Sequence, residues 1–321
     1  MTLRLRGFEA QGFRSLRRLS YPASDLDVFV GANGVGKTNL YRALELLQAA
    51  AANTLSRDLA RDGGLASSLW AGPRRREETR IRLAVELSDP RTSGALRFRY
   101  EVEIGRPPPV AAAFAAEPHI KSEAVSYVGG RRPVRLVERN GPSVVARGED
   151  GRPVELDLDL LTSETVLGRL EDPSRYPELD AVRRTLLQWR FYHGLRTDPG
   201  SPLRRPCPAV ATPSLASDGA DLAAVFATLV HLRQDTADLD AAIDQAFPGA
   251  RLVVPEPERV ASFGMSYPEF PQRVFEAGEL SDGTLRFLAL AGALLAYRLP
   301  PFIALNEPEA SLHPDLTPAL A

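Results

Sequence analysis

The chain has 321 residues, of which 44% are hydrophobic and 25% charged, and its formal net charge is −2. This composition is that of a globular protein long enough for one large or two modest domains. The near-zero net charge argues against a protein that coats nucleic acid by bulk charge, although it is compatible with local basic patches.

Cysteine content and the N-terminal sequence bear on location. A single cysteine, Cys207, excludes an internal disulfide framework and suits a reducing compartment. The first residues, MTLRLRGFEAQGF, alternate like a strand and contain no apolar core of a signal peptide. No uninterrupted apolar run approaches the length of a membrane span. We therefore expect a soluble, cytoplasmic protein without a membrane partner.

Periodicity and turn residues predict the elements in chain order. The first half reads as strands over 3–21 with a hairpin return at Phe13–Tyr21, a strand at Val28–Val30, a helix from Lys37 to about Ala52, a less regular section over 54–76, two antiparallel strands within 79–104, and a second β-rich section over 119–158. The second half reads first as helical stretches at 160–170 and 178–188, a buried strand that begins at Trp189 and runs into a loop by Arg196, and a proline-rich connector at 198–213. It continues with helices at 217–234 and 235–247, an irregular or strand-like section at 253–271, a helix opened by Ser281, and a short buried strand at Phe302–Leu305.

The sequence GANGVGKT follows an apolar run and precedes an amphipathic helix, which is the context of a phosphate-binding loop. Glycines let the backbone adopt positive φ and approach a ligand, so that successive N–H groups and the helix start bind an anion. Lys37 would reach the β- and γ-phosphates, and the Thr38 hydroxyl would coordinate Mg²⁺. The alternative is a glycine turn capping an ordinary helix. The predicted nucleotide-binding residues of this loop are Gly31, Asn33, Gly34, Gly36, Lys37, Thr38 and Asn39.

The choice of cation sharpens this prediction. Lys37 and Lys121 are the only lysines in the chain, and every other long cationic side chain is arginine. Lysine presents a compact point charge and is not interchangeable with arginine at a phosphate. The pattern favours a nucleotide-binding loop.

Two further constellations lie near the C-terminus. In LSDGT, Ser281 is a natural N-cap of a strongly apolar helix, and the N–H groups around Gly283 offer a second anion-binding helix start. This feature alone could equally be a capped core helix. In FIALNEPEASLHP, Asn306 and Glu307 follow a short apolar strand, at the end of a parallel strand where ligands bind in open sheets.

The order of these three motifs resembles that of the ABC-type ATPases, and within them the RecF/SMC-like heads, including the ATPases of overcoming-lysogenization-type nucleases. GANGVGKT is similar to the Walker A motif, LSDGT to the signature motif, and FIALNEPEASLHP to the Walker B and D-loop region. The resemblance covers about residues 1–50 and 275–321. It implies an α/β P-loop NTPase fold, an ABC-ATPase head with a central mostly parallel sheet, an antiparallel β-rich subdomain and a helical lobe.

The resemblance also implies a head that dimerises around two ATP molecules. Lys37 and Thr38 of one subunit would hold the nucleotide and Mg²⁺, and Ser281 and Gly283 of the other would close over the γ-phosphate. Glu307 falls at the position of the catalytic carboxylate that orients the attacking water, a role that requires an acceptor facing the γ-phosphate. The implied catalytic residues are thus Glu307 and Lys37, and the implied Mg²⁺ residues are Thr38 and Asn306.

Three departures from the family pattern qualify these expectations. Asn306 stands where the family has aspartate, so weaker Mg²⁺ binding or slow turnover is expected. No glutamine follows the strand near Tyr192, where His193 and Arg196 occur instead. The sequence also ends seven residues after Pro314, before the switch histidine that the resemblance implies, which suggests either a truncated chain or a shortened member with impaired hydrolysis.

We expect three parts: 1–197, a nucleotide-binding lobe with a β-rich insertion over about 54–188; 198–274, a connector and helical lobe; and 275–321, the signature helix and Walker B strand. The leading hypothesis is an ATP-hydrolysing homodimer that drives a DNA-repair or phage-defence activity on DNA or through a partner nuclease or effector. The alternative is a nucleotide-binding regulatory or scaffold subunit with little hydrolysis. Candidate phosphate-contacting residues are Arg74–Arg76, Arg131, Arg132, Arg204 and Arg205.

Overall fold

The computed structural model describes the chain except residues 1, 33, 73–78, 93, 108–113, 115–116, 149, 311, 317 and 321. The chain forms two compact units, Met1–Trp189 and Arg190–Ala321. The three-part division at 197 and 274 stays a prediction. The arginine cluster at 74–76 and the loop residue Asn33 lie outside the described residues. No helix in the described ranges is both long enough and apolar enough to cross a bilayer.

The first unit is built on an eight-stranded antiparallel sheet with the strand order β2-β1-β3-β4-β5-β6-β7-β8. Alternation along the strands explains its two faces, since in β3 the side chains of Ile81 and Val85 are buried whereas those of Arg80 and Arg82 are exposed. The predicted hairpins over 3–21 and 79–104 and the β-rich section over 119–158 are confirmed. The strands are β1 Arg4–Phe13, β2 Leu16–Pro22, β3 Arg80–Ser88, β4 Arg97–Gly105, β5 His119–Tyr127, β6 Val134–Asn140, β7 Ser143–Arg147 and β8 Pro153–Glu155.

Helices accompany this sheet. The first, α1, spans Lys37–Ala51 as predicted, and its apolar side packs against β1 and β3. The amide of Gln48 on α1 donates a 2.8 Å hydrogen bond to the carbonyl oxygen of Trp189. The predicted helix at 160–170 is much shorter, because only Val166–Arg169 is helical. The remaining helices of this unit are α2 Leu55–Arg61, α3 Gly64–Ser68, α4 Val166–Arg169 and α5 Pro177–Leu187.

The strand predicted at Val28–Val30 is wrong. These residues form no strand, and Leu26, Val28 and Val30 are 82%, 77% and 92% exposed. An apolar run indicates side chains that favour burial. A strand forms only where an adjacent strand supplies the hydrogen bonds of the β-ladder. No strand in the described part of the chain pairs with this segment.

The second unit is organised around α8, Asp282–Leu294, which is buried on nearly all sides. Its Phe287 ring packs edge-to-face on Phe247 at 5.4 Å, and the absence of a side chain at Gly292 lets Leu222 approach closely. The predicted helix at 217–234 begins only at Leu222. The other elements are β9 Arg190–Tyr192, β10 Cys207–Pro208, α6 Leu222–Ala227, a π-helical stretch Thr228–Arg233, α7 Ala237–Ala246, β11 Arg251–Val253, β12 Val260–Ala261, β13 Gly264–Ser266, β14 Val274–Glu276 and β15 Ile303–Leu305.

Parallel pairing in the described residues occurs only between β15 and β9, with Leu305 opposite Tyr192. The mostly parallel character of the central sheet therefore stays a prediction. The residues of β15 are half-buried, which corrects the prediction of a buried strand. The pairing brings the carboxyl ends of both strands to one edge, which positions Asn306 and Glu307 next to the loop that follows β9.

Buried Glu123 on β5 links the sheet to α4. Its carboxylate accepts hydrogen bonds from the backbone N–H groups of Val166 and Leu167 at 2.6 and 2.9 Å and from the Tyr100 hydroxyl at 3.0 Å. Glu123→Ala would leave these donors buried and unpaired, so we expect a loss of roughly 3–5 kcal/mol in the free energy of unfolding. Denaturant unfolding measures this loss, and the matched control Glu155→Ala, at an exposed position on β8, should change little. Equal stability of the two variants would contradict the assignment.

The same carboxyl group predicts a pH dependence. Burial raises the pKa of Glu123 above its ordinary value of 4.5. The pKa of Glu123 is higher in the folded than in the unfolded state. The protonated carboxyl group therefore contributes its full share to the free energy of unfolding below the unfolded-state pKa, and this share is lost as the pH rises through the folded-state pKa. The stability of the wild type relative to Glu123→Gln should therefore fall over that pH range.

Candidate functional site

The glycine-rich loop leads into α1 through two left-handed residues. Gly34 has φ 83° and Gly36, the N-cap of α1, has φ 104°, conformations that favour glycine. A Cβ at Gly34 would meet open space, whereas one at Gly36 would lie 2.3 Å from the hydroxyl oxygen of Ser15. The loop thus presents its backbone at the positive end of a fifteen-residue helix.

Lys37 and Thr38, the two loop residues with predicted roles in binding phosphate and Mg²⁺, lie at the start of α1. The ammonium of Lys37 donates to the carbonyl oxygen of Gly31 and, at 3.4 Å, to that of Ala32, so it is held over the loop itself. Thr38 is exposed in the first turn of the helix. The first N–H groups of a helix lack intrahelical acceptors, so this end offers several donors to an anion.

The turn between β1 and β2 braces the loop. The Asn39 side-chain amide donates a 2.8 Å hydrogen bond to the Ser15 hydroxyl, and the Asn39 backbone N–H donates to the carbonyl oxygen of Gly36 at 2.9 Å. The backbone N–H of Asn39 and one of the two N–H groups of its side-chain amide are therefore engaged within the protein. The structure gives it a bracing position, and its predicted contact with nucleotide stays a prediction.

The signature sequence forms a capped and accessible helix start. Ser281 is exposed, and its Oγ accepts a 3.1 Å hydrogen bond from the N–H of Thr284 as the N-cap of α8. The Ser281 and Thr284 hydroxyls are also 2.8 Å apart, and Gly283 between them is half-exposed. The cap is thus at the surface although the helix behind it is a core element.

The end of β15 carries the predicted carboxylate. Glu307 is exposed and has φ 47°, an uncommon conformation for a residue other than glycine. Asn306 is half-buried, and its N–H donates to the carbonyl oxygen of Tyr192 at 3.3 Å. The pairing of β15 with β9 therefore fixes the backbone from which both side chains project.

Arg286 on α8 joins the signature helix to this strand end. Its guanidinium is buried and donates to the carbonyl oxygens of Leu195 at 3.0 Å and Glu307 at 3.4 Å. Burial lowers the pKa of this arginine. This role of Arg286 is not predictable from the sequence, because an arginine in an apolar helix carries no signal of which carbonyl groups it contacts.

The loop after β9 lacks the glutamine of the family pattern. His193 is exposed there, and Arg196 pairs with both carboxylate oxygens of Asp198 at 2.8 Å, which lowers the pKa of Asp198. Gln188 lies before β9 and ends α5 in the first unit. The residue that would serve in place of the glutamine stays a prediction.

The sequence predicts two residues, Thr38 and Asn306, as ligands of Mg²⁺. The exposed Thr38 hydroxyl fits a direct ligand, and Asn306 offers an amide oxygen without charge. Within the described ranges, no group of three or more histidine, cysteine or acidic residues could by itself hold a metal ion. Joint ligation of Mg²⁺ by Thr38 and Asn306 stays a prediction.

Of the predicted phosphate-contacting arginines, Arg204 must be reassigned. Its guanidinium is nearly buried and hydrogen-bonded within the second unit, so it is a structural residue rather than part of a free basic surface. Arg131, Arg132 and Arg205 are exposed. Their contact with DNA stays a prediction.

A broad groove on the polar face of the sheet in the first unit is unrelated to these motifs. Arg99 there pairs with both oxygens of Glu9 at 2.9 Å, which lowers the pKa of Glu9. Arg80 and Arg82 both pair with Glu103. The charges largely neutralise one another, so the motif loops are the better candidates for binding nucleotide.

Comparison with known structures supports the predicted fold. A crystal structure of the SmcHead bound to the C-winged helix domain of ScpA is 16% identical and aligns with a TM-score of 0.53 over 99% of this chain and 84% of that chain. The ABC-head fold predicted from the sequence is therefore confirmed. A structure described as "Structural biochemistry of ATP-driven dimerization and DNA stimulated activation of SMC ATPases" is 18% identical over 57% of this chain and 96% of that chain, with a TM-score of only 0.25.

Family comparison covers most of the sequence. The model of the family described as "AAA domain, putative AbiEii toxin, Type IV TA system" matches residues 28–124 and 156–321, which include all three motifs. None of the curated proteins matches the chain. The chain therefore belongs to this AAA-domain family.

Proposed function

We propose that the protein is an ATP-binding and ATP-hydrolysing head that dimerises around its nucleotide. One observation carries the proposal: α1 and α8 each begin at an accessible loop with a motif residue, Lys37 in one unit and Ser281 in the other. A signature serine buried in the core would have opposed the proposal, whereas Ser281 is exposed.

The loop at α1 would bind the triphosphate. Its backbone N–H groups and the helix dipole supply positive potential, and the Lys37 ammonium would exchange its contacts with the loop carbonyls for β- and γ-phosphate oxygens. Thr38 and, with less effect, Asn306 would hold Mg²⁺, which neutralises phosphate charge when bound.

The loop at α8 would close the site from a second copy. Ser281 Oγ already faces the helix N-terminus as its cap, and the neighbouring Gly283 leaves room for close approach. A homodimer would then contain two sites, each made from Lys37 of one subunit and Ser281 of the other.

Glu307 would act on the attacking water as a hydrogen-bond acceptor at the end of β15. Its left-handed backbone and the contact of its carbonyl oxygen with Arg286 anchor the main chain from which the side chain projects. Water attack on the γ-phosphate would release inorganic phosphate and ADP and so weaken the dimer.

Asn306 should limit Mg²⁺ affinity, because its amide contributes an oxygen but no charge. We expect Asn306→Asp to lower the Mg²⁺ concentration for half-maximal ATP hydrolysis roughly tenfold, the effect of about one added charge near a partly exposed cation. A Mg²⁺ titration of phosphate release measures this shift, with Asn306→Ala as the control for loss of the side chain. An unchanged midpoint in Asn306→Asp would remove Asn306 from the metal site.

We also propose, from the resemblance to RecF/SMC-like and overcoming-lysogenization-type heads, a cytoplasmic role in DNA repair or phage defence, exerted on DNA or through a partner nuclease or effector. The likeness to an SMC head that was crystallised with part of another protein is compatible with a protein partner. If the exposed arginines contact DNA phosphates, affinity must fall steeply as salt rises.

A second candidate function is a nucleotide-binding regulatory or scaffold subunit with little turnover, and Asn306 favours it. Steady-state phosphate release of the wild type, with and without DNA, separates the two functions. A rate above that of Lys37→Ala supports the ATPase, and a rate equal to it supports the scaffold.

A further inference from the structure

Arg204 makes an unusually complete set of contacts for a residue in a proline-rich connector. Its Nε donates to the Thr197 carbonyl oxygen at 2.8 Å, and Nη1 donates to the carbonyl oxygens of Gly278 and Leu280 at 3.0 and 2.7 Å. Its Nη2 donates to the Asp282 carboxylate at 2.6 Å. All three guanidinium nitrogens are therefore engaged.

The backbone around Arg204 is also anchored, independently of the contacts of its guanidinium. It ends the short helical turn Pro202–Arg204, whose N-cap Ser201 is fully buried and accepts a hydrogen bond from the N–H of Leu203. Leu203 is itself part of the core. The side chain of Arg204 is only 12% exposed, so its backbone and its guanidinium are both ordered by their surroundings.

The groups that Arg204 contacts flank one exposed residue. Leu280 immediately precedes Ser281, and Asp282 immediately follows it. The guanidinium thus holds the backbone on one side of Ser281 and the first helical side chain on the other. A planar fork with fixed donors imposes such a geometry better than a flexible ammonium does.

We propose that Arg204 is a positioning residue that fixes the LSDGT loop so that Ser281 can close over nucleotide held by a second copy of the chain. This inference rests on the proposed function. Arg204 touches neither ATP nor the partner and acts through the loop that it holds. Its loss therefore weakens dimer closure and leaves nucleotide binding by the α1 loop unchanged.

The test compares two equilibria in the full chain. Nucleotide affinity is measured with a fluorescent ATP analogue at protein concentrations where the chain is monomeric, and ATP-dependent dimerisation is measured by sedimentation in the Glu307→Gln background. Arg204→Ala should leave the first unchanged and weaken the second at least about tenfold, the expected loss for one or more charge-assisted hydrogen bonds. The dimerisation affinity of Arg204→Lys should lie between that of Arg204→Ala and that of the parent with arginine.

The neighbouring Arg205 is the matched control, because it is exposed and carries the same charge. In the absence of DNA, Arg205→Ala should dimerise as the parent does, and thermal unfolding checks that each variant is folded. If Arg204→Ala does not fold, Arg204→Lys decides, since it keeps the charge but loses the fork. If the folded Arg204 variant dimerises as strongly as Arg205→Ala, the inference is overturned. Failure of the Glu307→Gln parent to dimerise with ATP would instead overturn the proposed function.

Discussion

Lys37→Ala is expected to weaken ATP binding by several orders of magnitude. The Lys37 ammonium lies over the loop at the start of α1, where it would bridge two phosphate groups. Loss of two charge-assisted hydrogen bonds corresponds to about 3–6 kcal/mol, which is about 10²- to 10⁴-fold in affinity. Equilibrium binding of a fluorescent ATP analogue measures it.

Lys121 provides a control for this substitution, as it is the only other lysine of the chain and lies on β5, away from the motif loops in sequence. Lys121→Ala should bind ATP like the wild type, and both variants should unfold at similar temperatures. Wild-type affinity in Lys37→Ala would mean that the glycine-rich loop is only a helix cap.

Glu307→Gln should bind ATP normally but lose most of its hydrolysis. The amide keeps the size of the side chain and its exposed position at the end of β15, but it is a much weaker acceptor for a proton from water. General-base assistance contributes about 10²- to 10⁴-fold, so phosphate release should fall by this order. Single-turnover phosphate release with bound ATP separates this chemical step from nucleotide binding.

Glu309 lies in the same loop and is also exposed, so Glu309→Gln controls for the loss of one negative charge near the site. Its turnover should stay near that of the wild type. Equal loss in both variants would assign the effect to local charge rather than to the carboxylate of Glu307.

Much of the local structure follows from the sequence. The period-two sequence pattern of β3 and β4 and the start signal before Lys37 predict these elements, because each depends on neighbours within the same segment. The exposed N-cap position of Ser281 follows in the same way from a polar loop opening an apolar helix.

The errors arise where structure depends on distant partners. Val28–Val30 has the composition of a buried strand, yet β pairing requires a neighbouring strand, and composition does not specify one. Likewise the helix over 217–234 changes at Thr228, whose hydroxyl donates to the Ala224 carbonyl oxygen, to a π-helical stretch. Neither outcome is encoded in a local periodicity.

Arg204 and Arg205 show the same limit at the level of single side chains. They are identical neighbours in a basic, proline-rich connector, and the sequence predicted both as phosphate-contacting residues. The structure separates them because the buried residues Ser201 and Leu203 direct the first inward to the signature loop. Such a difference is set by tertiary packing, which residue type alone does not reveal.

In the proposed dimer, the loops at Lys37 and Ser281, from two copies of the chain, bind the same ATP. Sedimentation of Glu307→Gln with ATP, with ADP and without nucleotide tests this arrangement, alongside the double variant Glu307→Gln/Ser281→Arg, in which a bulky side chain occupies the accessible cap. We expect a species of twice 35.0 kDa that requires ATP and disappears in the double variant while monomer nucleotide affinity is retained. A chain that stays monomeric at saturating ATP, or a dimer that forms equally well with Ser281→Arg, would contradict this arrangement.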